Sequence, residues 1–302
     1  MGAAAPHSWR PVDAKPWLGA PGPDDYKLTR GVLSARIGSA RYPGAAVLGV
    51  SAAWRTGVGM LRYVAAHETP GGTAYELPTA AAAVLAARPE TLFGDGDCDA
   101  WLLGSGTDPA SRTETETAAL TALHRGRAPL VIDAGALSTT LVRDVTSAPA
   151  VLTPHTGEFR RLWDGAGFSA AAPDADRGGT AVRLAARLSA TILLKGSTTL
   201  VATPSGDLIK TGPATPWLAT AGTGDVLAGI LGALVARHAS KVSADPEALG
   251  ALAATAALVH DTAARIASGD DAVDPACCVG SPITALDVVN SVPAAVATLR
   301  GA

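Results

Sequence analysis

Four short apolar runs in this chain each break off at a polar or glycine-rich corner. Ala100–Leu103 leads into Gly104-Ser105-Gly106-Thr107, and Pro129–Ile132 into Asp133-Ala134-Gly135. Ala150–Leu152 leads into Thr153-Pro154-His155-Thr156-Gly157-Glu158, and Thr191–Leu194 into Lys195-Gly196-Ser197-Thr198-Thr199. Helical periodicity over Glu116–Leu123, Glu158–Trp163 and Thr180–Leu188 lies between them. Continuous apolar strands that alternate with helices build a mostly parallel central sheet flanked by helices on both faces, an α/β fold. Ligands bind beyond the carboxyl ends of the strands in such sheets. Independent corners therefore deliver glycines, Asp133, His155 and Lys195 to one rim.

The remaining pattern extends this scheme. Val32–Ile37 and Met60–Val64 predict strands, and Gly44–Arg55 and Thr79–Ala87 predict helices, the second ended by Arg88-Pro89. Thr199–Ala202 and Leu208–Thr211, around Pro204-Ser205-Gly206-Asp207, predict a hairpin, the one antiparallel feature legible here. Pro246–Arg265 and Thr284–Leu299 predict two closing helices, and residues 164–178 and 266–282 read as loops. Residues 1–24, punctuated by Pro6, Pro11, Pro16, Pro21 and Pro23, read as a flexible N-terminal extension ahead of a single domain over 25–302.

Composition narrows the function classes. A net charge of −3, with Arg10, Arg30, Arg36 and Arg41 scattered, argues against a nucleic-acid surface. The most apolar runs, Val226–Ala236 and Ala248–Val259, are too short and interrupted to span a bilayer, so no membrane association is expected. Three cysteines, Cys98, Cys277 and Cys278, form neither a disulfide framework nor a metal-ligand spacing, which points to a reducing cytoplasm.

The most informative stretch is Ala219–Gly229. Its Gly-rich turn enters a helical apolar pattern with Val226, Ile230 and Leu234 on one row and Leu227, Leu231 and Val235 on the next. Gly222 and Gly224 allow backbone amides to close on a ligand, and a helix start adds unpaired N–H donors and a positive dipole end. Such a site suits a phosphate or a developing anion. Asp225 is then either a cap or a general base aimed at a hydroxyl beside that phosphate.

Other residues carry two readings each. Lys195-Gly196, followed by Ser197, Thr198 and Thr199, is either a solvated turn or a short phosphate loop with Lys195 as a point charge; it is not a Walker A loop. His155, at a strand end and near a helix start, is either a structural hydrogen-bonding group or a substrate contact, whereas Glu158 reads as a first-turn cap. Gly104 and Gly106 shape a turn or let a bulky substrate lie on the backbone. Asp133 either binds water associated with Mg²⁺ or caps 136–140. Tyr42-Pro43-Gly44-Ala45-Ala46 opens a helix with small residues, which also suits close helix–sheet packing.

Taken together, Thr153–Glu158, Lys195–Thr199 and Thr220-Ala-Gly-Thr-Gly-Asp225-Val-Leu-Ala-Gly229 resemble the three signatures of the ADP-dependent NAD(P)H-hydrate dehydratases, members of the ribokinase-like superfamily. The segment Gly38-Ser39 through Pro43-Gly44-Ala45-Ala46 is similar to a further family segment, and the resemblance runs from about Asp25 onward. It implies a three-layer ribokinase-like fold. It implies that ADP phosphorylates the C6 hydroxyl of the S epimer of hydrated NADH or NADPH (NADHX, NADPHX), after which phosphate elimination restores the dihydropyridine. Position by position it implies that Ala46, Gly106, His155 and Asp225 contact the hydrated dinucleotide. Lys195, Gly196, Ser197, Thr198, Thr199 and Gly224 would hold the nucleotide. The amides of Ala221, Gly222, Thr223 and Gly224 would form an anion hole, with Asp225 the catalytic base. Mg²⁺ would bridge nucleotide oxygens. The family further implies a homotetramer and, with so few residues ahead of the match, reliance on a separate epimerase.

The chain departs from the family pattern at three places: Gly135 where an Asp is usual, Gly212 where an Asn often stands, and Arg36-Ile37 where Gly is common. Two rival functions are a small-molecule kinase of the same superfamily, making a stable phosphorylated product, and a nucleotide-binding module without catalysis.

Overall fold

The computed structural model describes residues 6–67, 76–138, 141, 148–168, 174–271 and 279–302. In chain order the elements are β1 (His7–Ser8), α1 (Pro11–Ala14), β2 (Val32–Arg36), α2 (Pro43–Thr56), β3 (Met60–Tyr63), α3 (Ala80–Ala87), β4 (Leu92–Phe93) and β5 (Ala100–Leu103). There follow α4 (Glu114–His124), β6 (Leu130–Ile132), β7 (Ala150–Leu152), α5 (Thr156–Gly165), α6 (Arg177–Leu188), β8 (Thr191–Leu194), β9 (Thr199–Ala202) and β10 (Leu208–Thr211). The chain closes with α7 (Thr223–Arg237), α8 (Ala239–Ala244), α9 (Ala248–Ser268) and α10 (Ala285–Gly301).

The strands form one ten-stranded sheet in the order β1-β10-β9-β8-β7-β6-β5-β2-β3-β4. All pairings are parallel except β8 with β9 and β9 with β10. The side-chain period of two explains the uninterrupted apolar runs. Val131, Val151 and Leu193 point to the layer made by α2, α7, α9 and α10. Leu130, Ile132, Leu152, Ile192 and Leu194 point the other way, against Phe159, Leu162 and Trp163 of α5 and Leu184 and Leu188 of α6. The three-layer α/β architecture read from the alternation is the one observed.

Helix α7 is central to that architecture. Every residue from Val226 to Ala236 is buried, which accounts for an apolar pattern that covers more than one face. It lies close against α2, and a Cβ added at Gly229 would stand 2.2 Å from the Gly49 carbonyl oxygen. The buried body leaves the glycine-rich N-terminus as the polar end, and Asp225 is its third residue.

Two sequence expectations change. The N-terminal extension is not loose over the residues described: β1 pairs in parallel with β10, and the Trp9 amide donates to the Lys210 carbonyl. The Trp9 indole donates to Thr255 Oγ1 at 3.2 Å, the Lys241 ammonium lies 4.1 Å from the centre of the Trp17 ring, and Ala14 and Leu18 are fully buried. A segment without periodicity is ordered here by the open edge of β10, by packing against α9 and α10 and by the Lys241 ammonium of α8 over Trp17, none of which is local in sequence. The second change is at Lys195: the segment after β8 turns straight back into β9, giving a second antiparallel pairing. Cys98 is a free, half-buried thiol; Cys277, Cys278 and part of the expected 136–140 helix lie outside the described residues. None of the described helices is long and apolar enough to cross a membrane.

The α2–α7 contact is testable. Helix propensity favours alanine over glycine by about 0.5–1 kcal/mol. Gly229→Ala is nonetheless expected to destabilise the protein by about 2–3 kcal/mol in chemical denaturation, because its methyl meets backbone. Gly44→Ala, where nothing lies within 4 Å, is expected to be neutral or stabilising.

Candidate active site at the strand ends

The corners after β5, β6, β7 and β8 meet the N-terminus of α7. Asp133 is their junction. It is buried, and its Oδ2 accepts from Ser105 Oγ at 2.8 Å. Its Oδ1 accepts from Thr153 Oγ1 at 2.6 Å and from Lys195 Nζ at 2.9 Å. Three strand ends are thus tied to one carboxylate. Asp133 makes no side-chain cap to the turn that follows it, so the capping alternative is not the one observed. Gly104, at φ +97°, allows this closeness: a Cβ there would fall 2.2 Å from the Asp133 carbonyl oxygen.

On the β7 side, His155 is the N-cap of α5. Its Nδ1 accepts from the Gly157 amide at 3.0 Å, and Glu158 Oε2 accepts from the His155 amide at 2.8 Å, a reciprocal capping box. Glu158 is the cap that the sequence predicts, and its carboxylate also stands 3.9 Å from Lys195 Nζ. The cap bond holds the imidazole by Nδ1 while the ring remains exposed.

Lys195 is the cation among these acids. Burial disfavours its charge, but Asp133, Glu158 and Asp225 outweigh that and hold its pKa above the ordinary lysine value. Asp225 behaves oppositely. Burial and the neighbouring Asp133 charge push its carboxyl up to about 7, with Lys195 pulling the other way. It accepts no hydrogen bond among the described residues. Gly224 faces the same ammonium, a Cβ there lying 3.7 Å from Lys195 Nζ. Gly222 caps α7 in the left-handed region at φ +88°, and Thr223 Oγ1 donates to the Leu218 and Thr220 carbonyls at 2.9 Å each, fixing the turn. The amides of Ala221, Gly222 and Gly224 donate to no acceptor among the described residues; the Thr223 amide reaches Thr220 at 3.4 Å.

A cavity of about 520 Å³ opens beside this cluster. Polar lining comes from His155, Lys195, Gly196, Ser197, Thr199, Thr223 and Gly224, and apolar lining from Pro216, Leu218, Leu227 and Leu258. Its wall at 212–219 is pinned from α9 and the residues just after it: Asp261 Oδ1 on α9 accepts from the Thr215 amide at 2.7 Å, and Asp270 Oδ2, beyond the helix end, accepts from Thr215 Oγ1 at 2.5 Å. Gly212 has φ +105°, where a Cβ would stand 2.7 Å from the Ser197 carbonyl oxygen. That accounts for glycine at this departure from the family pattern.

The sequence-derived residues divide accordingly. Lys195, Gly196, Ser197, Thr199, Gly224 and His155 line this cavity, and Thr198 is in the same turn, half-buried; Asp225 is not in the lining but follows Gly224 directly and acts on the Lys195 charge. Gly106 is on the neighbouring corner, where a Cβ would stand 2.3 Å from Ala45 Cβ. Ala46 is fully enclosed against Gly38 and shapes that corner from beneath. Arg36, at another of the three departures, is buried with its guanidinium paired by two nitrogens to Glu116 at 2.9 and 2.5 Å. Sequence reading left out Ser105, Thr153, Glu116 and His260. The first two sit inside quoted motifs; nothing local marks Glu116 or His260.

Mg²⁺ fits this donor set in one way. No three or more His, Cys, Asp or Glu residues gather to cage a metal among the described residues, and Asp133 is already engaged by three donors. The remaining carboxylate, Asp225, suits an ion that arrives on phosphates and keeps its waters.

Comparison with known proteins places these features in a family. A sequence model described as NAD(P)H-hydrate dehydratase matches residues 36–284. The bifunctional NAD(P)H-hydrate repair enzyme of Mycobacterium tuberculosis is 41% identical over 229 residues, covering 72% of this chain and 43% of that protein. The ADP-dependent (S)-NAD(P)H-hydrate dehydratase of Xanthomonas campestris is 35% identical over 236 residues, covering 75% and 79%. This chain thus spans less than half of the bifunctional relative. The Bacillus subtilis ADP/ATP-dependent NAD(P)H-hydrate dehydratase, co-crystallised with ATP/Mg²⁺, shares the fold with a TM-score of 0.76 at 24% identity, covering 99% of each chain.

The raised Asp225 pKa has a stability consequence. A carboxyl raised from 3.8 to about 7 contributes stability that is fully present below pH 3.8 and lost as pH rises through about 7. Asp225→Asn is therefore expected to melt higher than wild type at pH 8, by about 1–2 kcal/mol, since half exposure screens the interaction. The advantage should shrink toward pH 5 in thermal denaturation.

Proposed function

The chain belongs to the NAD(P)H-hydrate dehydratase family, and from that premise we propose that it dehydrates the S epimer of hydrated NADH or NADPH using ADP. The C6 hydroxyl of the hydrated ring attacks the β-phosphorus of ADP, the bond to the bridging oxygen breaks, and AMP leaves. The ring then expels phosphate, its nitrogen lone pair assists the departure, and loss of a ring proton restores the dihydropyridine. Hydroxide is a poor leaving group and phosphate a good one, which is what the phosphorylation achieves.

One observation carries this reading. Asp225, a carboxyl with a pKa near 7 and no hydrogen-bond donor among the described residues, stands where the open amides of Gly222 and Gly224 and the Lys195 ammonium converge. In its ionised form it takes the proton from the attacking hydroxyl, an effect worth about 10²–10⁴ in rate. The amides and Lys195 stabilise charge on the transferring phosphoryl group, each preorganised donor contributing about 10²–10³. Mg²⁺ carried on the nucleotide would neutralise phosphate charge, with Asp225 the nearest free carboxylate to its waters. The apolar residues Pro216, Leu218 and Leu258 suit an adenine base, and Lys195 to Thr199 suit its phosphates. His155, Gly106 and the Ala46 corner lie toward the hydrated dinucleotide. Names of longer relatives include "bifunctional", in keeping with an epimerase activity working alongside this one on the R hydrate. The homotetramer that the family implies is checked by sedimentation.

A kinase shares the fold: a hydroxyethylthiazole kinase of Pyrococcus horikoshii has a TM-score of 0.54 at 17% identity. The Thr153–Glu158 motif and the family match favour dehydration over that reading. Incubation with racemic NADHX and ADP should restore the dihydronicotinamide absorbance of the S fraction with release of AMP and phosphate. A stable phosphorylated product, or no recovery with either ADP or ATP, would reject the assignment.

Two variants test the base. Asp225→Asn should keep nucleotide binding and lose at least about 10²-fold in kcat. In the wild type kcat/KM should fall below pH 7 as Asp225 protonates. Burial contributes most to the raised Asp225 pKa and Asp133 adds to it, so Asp133→Asn should move the acid limb part of the way to lower pH; a limb that stays put separates the two carboxyls.

A further inference from the structure

His260, on α9, lines the same cavity as Lys195, Thr223 and Gly224. It is only 7% exposed, and its Nε2 is buried without a hydrogen-bond partner among the described residues. A buried polar atom left unpaired is unfavourable, and native proteins retain few of them. Burial pushes this histidine down to about 4, so the ring is neutral at physiological pH. Its hydrogen bond to the Thr223 backbone favours the protonated form, as a bond donated to a carbonyl does. A neutral imidazole that donates from one nitrogen offers only a lone pair at the other.

That lone pair limits what can satisfy it. A phosphate oxygen is another acceptor and is excluded. A base face offers nothing, and adenine's only donor in a nucleotide is the exocyclic amine on its edge, at the far end from the phosphates. A ligand hydroxyl fits, being a donor. His260 interacts with Thr223 and feels the Lys195 charge, which puts it toward the phosphate end of the cavity, where a nucleotide presents its ribose.

We infer that His260 Nε2 accepts a hydrogen bond from a ribose hydroxyl of the nucleotide held in this cavity, so that the residue selects ribonucleotides over their deoxy counterparts. The inference rests on the nucleotide reading of the cavity given above. His260 thereby also joins ligand occupancy to the turn that carries Asp225, through Thr223.

Calorimetric titration of ADP, 2′-deoxy-ADP and 3′-deoxy-ADP into wild type, His260→Leu and His260→Gln tests this without relying on turnover. One deoxy analogue should bind wild type about tenfold more weakly than ADP, and His260→Leu should bind ADP about tenfold more weakly while no longer distinguishing the two. Gln, whose Oε1 can stand in for Nε2, should recover most of the loss. The Leu variant also gives up the hydrogen bond to the Thr223 backbone, so it is compared with His260→Gln: ADP binding recovered in Gln but not in Leu, at similar melting temperatures, separates a ligand contact from a merely structural histidine. ADP binding unchanged in His260→Leu, or undiminished discrimination, overturns the inference and leaves the functional reading intact. A lowered melting temperature in both variants together with lost ADP binding also overturns it. Failure of wild type to bind ADP overturns both.

Discussion

The Lys195 ammonium sits among three carboxylates, and that arrangement governs the candidate site. Asp133 holds it directly, Glu158 stands at 3.9 Å, and Asp225 is close enough to share its field. One cation cannot neutralise all of them. The buried, fully hydrogen-bonded Asp133 is fixed in place by Ser105 and Thr153, whereas Asp225 has neither such donors nor full exposure to water. Burial first, and the uncompensated charge of Asp133 second, therefore raise the proton affinity of Asp225 into the neutral range. A carboxyl poised there can both release and accept a proton at physiological pH.

The position of that carboxyl depends on the packing of α7. The helix is sunk between α2 and the sheet, and its approach is permitted by Gly229 against the backbone of Gly49. Its N-terminus consequently cannot drift relative to the strand ends that carry Asp133 and Lys195. The same end of the helix holds features that do not favour folding: a carboxylate partly removed from water and, among the described residues, amides without acceptors and a neighbouring histidine nitrogen with no partner. Concentrated departures of this kind mark binding sites, where a ligand supplies what the fold withholds.

Much of the architecture was legible because its cause is local. Apolar runs of strand length, glycine-rich corners and helical periods carried the observed layers and the strand ends that form the site. Where the cause was not local, legibility failed. The Pro-rich N-terminus shows no period, yet β1 forms because β10 offers an open edge and α9 offers Thr255 to Trp9. The Lys195–Thr199 segment reads from the sequence as a solvated turn or a short phosphate loop between two strands, while the antiparallel pairing of those strands, β8 with β9, comes only from the structure. Arg36 stood out as an irregularity, and its partner Glu116, eighty residues onward, was invisible to any local pattern.

The amino-acid sequence by itself determined which residue types end each strand, where the glycine-rich turn enters its helix, and the family that these motifs identify. Those properties follow from side-chain periodicity and backbone conformational preference, which act over a few residues. Only the tertiary structure decided how the acids differ: Asp133 as the junction of three corners, Glu158 as a cap that leans on Lys195, and Asp225 as the carboxyl left without a donor. Charge state depends on burial and on neighbours brought from distant segments, and neither is defined until the sheet has closed around them.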